Sequence, residues 1–191
     1  MESTLSFQIV VARYNEDVKW LLPFKKITIL YNKGTYDPLL QYFDTIKLPN
    51  VGRESHSYLY HIVTNYDQLA DKTIFFQGKI SDHKILSIDK YFGKDNFIGL
   101  LENLPIEKIK KKIDHYGKWK DRSMSLSKYT PYEWLIDIIG CKIDSSIDIL
   151  QTVWGANFSV SKQMILSKPK KFYENMLRYV IFILLTTNKL S

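Results

Sequence analysis

Short apolar runs separated by polar clusters recur along the first half of the chain. Each run is four to six residues long, which is typical of buried strands. These predicted strands span residues 8–12, 26–31, 45–48 and 73–77. Between the last two, Leu59, Ile62 and Tyr66 recur at the spacing of a helix face, so residues 54–66 form a predicted amphipathic helix. Strands that alternate with helices predict an α/β fold with a mostly parallel sheet and helices on both faces.

The second half of the chain shows a weaker pattern. Residues 107–122 hold a dense run of basic side chains interleaved with aromatic ones, which indicates a mobile or partner-binding segment. An apolar helix is predicted over residues 132–139, a short strand over 158–160 and a closing helix over 172–185. We expect all of these elements to belong to one domain over residues 1–191, because this length suffices for one sizeable core.

The composition is that of a globular protein, with 45% hydrophobic and 25% charged residues. The formal net charge of +7 attracts nucleic acid, phosphorylated small molecules and anionic membranes without selecting among them. A single cysteine, Cys141, excludes an internal disulfide and fits a reducing compartment. The start of the chain lacks the basic region of a signal peptide, and the late apolar run at residues 179–185 is too short to span a bilayer. We therefore expect a soluble, cytoplasmic protein.

Polar residues follow each of the four predicted strands, at residues 13–17, 32–34, 50–54 and 77–83. Because ligands of parallel sheets bind outside the carboxyl ends of the strands, these four segments together form the candidate site. The chain has neither a G-x-G-x-x-G sequence after its first strand nor a G-x-x-x-x-G-K-[S/T] sequence. Their absence from the sequence argues against a dehydrogenase or a kinase.

The segment after the first strand offers the groups that a nucleoside pocket needs. Asn15, Glu16 and Asp17 can accept hydrogen bonds from base or ribose, and Arg13 can pair with a diphosphate. The same residues also fit an ordinary helix start, with Asn15 as N-cap and the two carboxylates near the positive end of the helix dipole. The two interpretations are compatible.

The segment after the third strand is a turn that runs into the predicted helix. Its backbone N–H groups and the Arg53 side chain can hold a phosphate, and Gly52 permits a close approach of the backbone. Asn50 begins this turn. Ordinary helix capping explains the same residues, so the two alternatives stay open here.

The segment after the fourth strand contains Gln77, Lys79 and an adjacent Asp/His pair, Asp82 and His83. The pair can ligate a divalent cation that bridges a diphosphate, or His83 can transfer a proton. We therefore take Asp82 and His83 as both catalytic and metal-binding candidates.

Four strings follow one another in the chain: V-V-A-R-Y-N-E-D at residues 10–17, N-V-G-R-E-S at 50–55, I-F-F-Q-G at 74–78 with Asp82-His83, and G-A-N-F-S-V-S at 155–161. In this order they resemble a glycosyltransferase-like family with a GT-A type fold, and the resemblance extends over roughly residues 8–177. The resemblance implies a single-domain, Rossmann-like GT-A fold that binds a nucleotide-sugar donor and transfers the sugar to an acceptor, which is a glycan, a protein or a small molecule.

The resemblance also implies roles for individual residues. Asn15, Glu16 and Asp17 would lie near the nucleotide, and residues 77–79 near the diphosphate. The usual Asp-x-Asp metal motif is replaced by Gln77-Gly78-Lys79 in this chain. Three consequences stay open: Asp82 or His83 holds Mn²⁺ or Mg²⁺, Lys79 replaces the metal as counter-charge, or activity has been lost.

The base that deprotonates the acceptor is expected among a few carboxylates. Asp82 is the first candidate, ahead of Glu133 and Asp137. Two other functions remain as alternatives: a nucleic-acid-binding module that uses the basic face at residues 107–122, which we rank lower, and a catalytically inactive scaffold with the same fold.

Overall fold

The computed structural model describes residues 5–82, 85–111 and 129–187. Its strands are β1 Phe7–Arg13, β2 Thr28–Asn32, β3 Asp44–Lys47, β4 Lys72–Gln77, β5 Phe97–Pro105 and β6 Ile149–Ser161. Its α-helices are α1 Arg53–Thr64, α2 Ile106–Ile109, α3 Pro131–Glu133, α4 Lys162–Leu166 and α5 Lys170–Thr187. Short 3-10 helices lie at Lys19–Ile27, Pro38–Tyr42, Tyr66–Gln68, Ile80–Asp82 and Ile88–Phe92, and α3 continues into a π-helix at Trp134–Ile138.

The strands form one mixed sheet in the order β3-β2-β1-β4-β6-β5. β1 pairs in parallel with β2 and β4, and β2 pairs in parallel with β3. β6 runs antiparallel to β4. The α/β prediction is confirmed, and the four strands predicted in the first half are all present and parallel.

The predicted helices are confirmed with small shifts of their ends. The helix predicted at residues 54–66 is α1, and the one predicted at 132–139 is α3 with its π-helix. The closing helix predicted at 172–185 is α5. The short strand predicted at 158–160 is wrong in extent, because β6 is 13 residues long, and β5 was not predicted. Among the described residues, no helix combines the length and the apolarity needed to cross a membrane.

The core has two layers because β1 is apolar on both faces. On one face, Ile9 and Val11 pack with Leu21, Leu40 and Tyr91, which belong to three of the 3-10 helices. Pro23 lies inside the first of these helices and removes a backbone donor there, which limits regular α-helix at that point. The sheet therefore has 3-10 helices on this face.

The opposite face of β1 packs against α-helices. Val10 and Ala12 belong to a cluster with Tyr58 and Ile62 of α1 and Ile165 of α4. Helices thus cover both faces, as predicted. Pairing with β2 on one side and β4 on the other fixes the register of β1 and so the position of its polar end at Arg13.

The chain divides into two compact units. The first comprises Met1–Leu100 with Val153–Thr186, and the second Leu101–Thr152 with Thr187–Ser191. The first unit contains β1 to β4, α1, α4 and both core clusters. The second contains α2 and α3 with its π-helix. The single domain expected over residues 1–191 stays a prediction.

Candidate functional site at the carboxyl edge of the sheet

The order in which the chain adds strands to the sheet reverses between β1 and β4, since β2 lies on one side of β1 and β4 on the other. The last residues of these two strands are neighbours, with Ala12 opposite Gln77. In α/β sheets, the crevice outside the carboxyl ends of strands at such a switch point is where ligands bind. We call this edge, where β1, β2 and β4 end, the carboxyl edge.

Arg13 joins the loops that follow β1 and β2. Its side chain is only 3% exposed, and its Nη2 lies 3.5 Å from a carboxylate oxygen of Asp37. Its other guanidinium nitrogens donate to Glu16 O at 2.9 Å, Asn32 Oδ1 at 2.9 Å, Thr35 O at 3.1 Å and Tyr14 O at 3.2 Å. The guanidinium is thus engaged within the protein and positions the two loops, while its predicted contact with a diphosphate stays a prediction.

Asn15 strengthens the same junction. Its Oδ1 accepts from the backbone N–H of Thr35 at 2.8 Å and from Thr35 Oγ1 at 2.9 Å. The loops approach so closely that a Cβ on Gly34 would lie 1.4 Å from the carbonyl oxygen of Tyr14. Only glycine fits there. Asn15 therefore joins two loops, and the helix-capping interpretation of Asn15 is wrong.

Asp17 closes a short turn just before the next helix, whose N-cap is Val18 and which has no side-chain capping bond. Its Oδ1 accepts from the backbone N–H of Lys19 at 2.9 Å, at the start of the helix Lys19–Ile27. The same carboxylate lies 3.8 Å from the Lys19 ammonium, and both side chains are mostly exposed. A carboxylate at this position is also favoured by the helix dipole.

Glu16 connects the β1 loop to the end of β4. Its Oε2 accepts from the backbone N–H of Tyr14 at 2.6 Å, and a Cβ on Gly78 would lie 2.6 Å from this oxygen. Trp20 Nε1 donates to the Gly78 carbonyl at 3.0 Å, and the Gly78 N–H donates to Ala12 O at 2.8 Å. A carboxylate thus lies against the backbone where β4 ends, between the predicted nucleotide and diphosphate positions.

Gln77 is buried and held by β6. Its backbone N–H donates to Asn157 Oδ1 at 3.1 Å, and its Nε2 donates to the carbonyl oxygen of Lys79 at 2.9 Å. Ala156 has a φ of 53°, a left-handed conformation that is uncommon for alanine, and its carbonyl accepts from Tyr58 Oη at 2.9 Å. Strained residues of this kind concentrate at functional sites.

Asn157 was not among the predicted site residues. It is 2% exposed, and its Nδ2 has no hydrogen-bond partner among the described residues. The Gly155-Ala156-Asn157 string gave the signal that could have found it, because small residues beside a polar one in a strand indicate a bulge.

Lys33, which the sequence placed only at a strand end, lies under the turn before α1. Its buried ammonium donates to Val51 O at 2.6 Å and to Arg53 O. Burial lowers the pKa of Lys33 to about 8, while nearby Glu54 acts in the opposite direction. The turn carbonyls therefore face a cation.

Gly52 and Arg53 both have positive φ, 62° and 46°, and Gly52 gives α1 no side-chain cap. The close backbone approach of Gly52 is to α5, because a Cβ there would lie 2.4 Å from Val180 Cγ1. We predicted an approach to phosphate at this glycine, and that role stays a prediction. Asn50 is exposed at the start of the turn.

Two histidines of α1 are buried beneath the sheet face. Tyr31 Oη lies 3.0 Å from His61 Nδ1, and neither His56 Nδ1 nor His61 Nε2 has a partner among the described residues. Burial lowers the pKa of both imidazoles to about 4, with nearby Lys33 adding to the effect at His56. Both rings are neutral at pH 7 and belong to the core.

The predicted catalytic pair follows β4. Asp82 ends the 3-10 helix Ile80–Asp82, Lys79 is exposed just before it, and His83 lies outside the described residues. Within residues 5–82, 85–111 and 129–187, no three His, Cys, Asp or Glu side chains form a group that could hold a metal ion. The Mn²⁺ or Mg²⁺ site at Asp82 and His83 stays a prediction.

The second unit holds the other two carboxylates considered as bases. Glu133 forms a capping box with Thr130, whose backbone N–H donates to Glu133 Oε2 at 2.7 Å and whose Oγ1 accepts from the Glu133 N–H at 3.1 Å. Asp137 is exposed on the π-helix. The carboxylate of Glu133 therefore has a structural role at the start of α3.

The described part of the basic segment ends at residue 111, and residues 112–122 lie outside the described residues. Lys110 pairs with Glu107 at 2.9 Å, and its ammonium lies 5.6 Å from the centre of the Tyr132 ring. Lys110 is thus engaged inside its own unit.

The chain matches a protein-family model described as "Protein of unknown function (DUF3431)" over residues 9–123. These residues include most of β1, all of β2 to β4 and the loops of the carboxyl edge. No curated protein matches the chain.

Proposed function

The chain belongs to the DUF3431 family, whose description assigns no function, and from its site we propose that it is a glycosyltransferase. It binds a nucleoside diphosphate sugar at the carboxyl edge and transfers the sugar to an acceptor hydroxyl. The proposal includes the finer fold expected from the resemblance, a GT-A-like, Rossmann-like domain.

The observation that carries the proposal is the junction of three loops at the switch point. The parallel strands lie in the order β3-β2-β1-β4, which begins like the doubly wound nucleotide-binding sheet and places a switch point between β1 and β4. Arg13 and Asn15 fasten the β1 loop to the β2 loop, and Glu16 contacts Gly78 at the end of β4. A prearranged polar site of this kind suits a ligand with hydroxyls at one end and phosphates at the other.

In the proposed complex, Asn15, Glu16 and Asp17 contact the nucleoside, as the resemblance implies. The carboxylates of Glu16 and Asp17 accept from ribose hydroxyls, and Asn15, whose Oδ1 already accepts from Thr35, offers its amide N–H groups. The Gly78 backbone and the exposed Lys79 lie toward the diphosphate, where an ammonium offsets phosphate charge. Arg13 and Gln77 act behind them by holding the loops in place.

Transfer requires one proton acceptor and one counter-charge. Asp82 takes the proton of the acceptor hydroxyl, whose oxygen bonds to the anomeric carbon as the bond from that carbon to the diphosphate breaks. Lys79 stabilises the negative charge that develops on the departing diphosphate. Mn²⁺ or Mg²⁺ held by Asp82 and His83 is the alternative source of positive charge, and it would make transfer metal-dependent.

Thermal unfolding with a panel of nucleoside diphosphates and their sugars, with and without manganese, tests the proposal. At about a hundredfold excess over Kd, one nucleotide sugar should raise Tm by about 5 °C or more. Lys79→Ala should weaken the shift, whereas Lys26→Ala, which removes an exposed lysine elsewhere, should not. Asp82→Asn should abolish transfer, with the exposed Asp89→Asn as its control.

Each rival has its own outcome in the same experiment. If no nucleotide shifts Tm and an oligonucleotide binds with strong salt dependence, the basic segment at 107–122 carries a nucleic-acid function instead. If a nucleotide sugar binds and no acceptor is ever glycosylated, the fold serves as an inactive scaffold.

A further inference from the structure

An open cavity of about 660 Å³ lies at the opposite edge of the sheet, where β1 and β4 begin. Three lysines line it: Lys72 at the start of β4, Lys94 before β5 and Lys162 at the start of α4. We call it the lysine cavity. All its lining residues belong to the first unit. β1 is seven residues long, so the lysine cavity is about 20 Å from the carboxyl edge.

The charge of the lysine cavity is unbalanced. Its lining contains one carboxylate, Asp71, whose Oδ2 accepts from the N–H and the Oγ of Ser6, each at 2.9 Å. In the described part of the chain, no carboxylate lies within 4.0 Å of the ammonium groups of Lys72, Lys94 or Lys162. Three lysines therefore line one open space, and none of them has an ion pair among the described residues.

Lys72 is the most informative of the three, because it is only 2% exposed. Its ammonium donates to the Asp95 carbonyl oxygen, and among the described residues this is its single hydrogen bond. An ammonium carries three donors, and a buried cation without enough acceptors is costly. Burial lowers the pKa of Lys72 accordingly, with Asp95 opposing the effect. An anion in the lysine cavity would supply the acceptors that the protein leaves out.

The walls of the lysine cavity are joined by backbone hydrogen bonds. The Ser161 N–H donates to Asn96 O at 2.8 Å, and the Lys162 N–H donates to Asp71 O at 2.9 Å. Ser161 Oγ also donates to Asn96 Oδ1 at 3.0 Å. Such cross-links fix the geometry before a ligand arrives, which reduces the entropy lost on binding.

We propose that the lysine cavity binds a small molecule that carries a phosphate group. The volume is within the range of small-molecule sites, and lysine ammonium groups bind phosphate as compact point charges. Leu5 and Leu166 also line the cavity and offer apolar surface to the rest of the ligand. This site is separate from the donor site and does not depend on the glycosyltransferase proposal.

Titration calorimetry at constant ionic strength tests the site with inorganic phosphate and with phenyl phosphate. Phenyl phosphate should bind more tightly than inorganic phosphate, by about tenfold, because its ring meets the leucines. Lys162→Gln and Lys94→Gln should each weaken phenyl phosphate binding by about tenfold. Lys26→Gln removes the same charge from an exposed position elsewhere and should change binding less than about twofold.

Lys72→Met tests the buried cation separately, because it replaces the lysine with an apolar side chain of similar length. This variant should bind phenyl phosphate more weakly even if its Tm equals that of the wild type. The proposal is overturned if phenyl phosphate does not bind, or if Lys26→Gln weakens binding as much as Lys162→Gln, since the affinity would then come from net charge. Neither result would bear on nucleotide sugar binding at the carboxyl edge.

Discussion

Arg13 and Lys33 place two buried cations beneath the loops of the carboxyl edge. Both cations donate hydrogen bonds chiefly to backbone carbonyl oxygens, and Arg13 also lies beside the Asp37 carboxylate. A rigid, planar guanidinium suits the several acceptors around Arg13, which lie in different directions. At the scale of the residue, the shape of the site depends on hydrogen bonds to cations that do not themselves face solvent.

Arg13→Lys should therefore destabilise the protein while keeping its charge. An ammonium cannot reach all the acceptors that the guanidinium contacts, so the free energy of unfolding should fall by about 2–4 kcal/mol. Arg178→Lys changes an exposed arginine in the same way and should be nearly neutral. Urea unfolding of both variants decides the matter, and equal effects would contradict the role of Arg13.

His61 makes the stability of the fold sensitive to acid. Its folded pKa of about 4 is below the ordinary value of 6.5, so between these pH values the unfolded chain binds a proton that the folded chain does not. Stability should thus fall as the pH drops through this window, by about 2–3 kcal/mol for His61 by about pH 4.5. His61→Gln should show a loss smaller by that amount in urea unfolding, and an unchanged loss would be evidence against a neutral, buried imidazole.

Sequence placed Arg13, Asn15 and Glu16 at the correct strand end but could not assign their partners. Thr35, whose N–H donates to Asn15, is 20 residues from Asn15 in the sequence. Arg13 reaches the Thr35 carbonyl oxygen because β1 and β2 pair in parallel. Nor does a polar residue reveal from its type whether it will be buried. Asn15 does not cap the helix because the helix begins at Lys19, with Val18 as its N-cap.

At the scale of elements, the loops after β1, β2 and β4 approach one another through glycines. Gly34 meets backbone atoms of the β1 loop, whereas Gly78 meets the end of the flexible Glu16 side chain. A side chain can move away from an added methyl group more easily than the backbone can.

Gly34→Ala should separate the first two loops, because the new methyl would overlap the Tyr14 carbonyl. We expect a loss of at least about 2–3 kcal/mol in the free energy of unfolding and the loss of any nucleotide-induced rise in Tm. Gly78→Ala should cost about 1 kcal/mol, because Glu16 can move its carboxylate at the loss of its hydrogen bond from the Tyr14 N–H, while its Cβ, 3.2 Å from the new methyl, must shift slightly. Thermal unfolding of the pair distinguishes them, and similar losses would show that the loops are not held as described.

The pattern of apolar runs predicted β1, β2, β4 and α1 because each buries apolar residues, and it also located β3, although three of the four residues of β3 are exposed. It did not predict β5 or most of β6, whose sequences contain residues typical of turns. Gly155 and Asn157 lie in β6 just before the residues that pair with β4, Phe158 to Ser161, and Ala156 between them has a left-handed conformation. Tertiary pairing decided these elements where local preference did not.

At the scale of the whole molecule, the first unit has two polar edges of different character. The carboxyl edge offers mixed amide, carboxylate and basic groups, whereas the opposite edge offers the lysine cavity. The net charge of +7 predicted attraction to anions without locating either place. Strand order, and the antiparallel neighbour of β4, also required the structure, since sequence periodicity reports burial and not adjacency.

Amide hydrogen exchange with and without the most stabilising nucleotide sugar locates the bound donor on the chain. If the nucleotide sugar binds at the carboxyl edge, exchange should be slower at residues 14–17, 33–35 and 78–79, with little change at the lysine cavity residues 94–96 and 161–163. Protection at the second set alone, or no protection at either, would contradict binding at the carboxyl edge and leave the donor site without support.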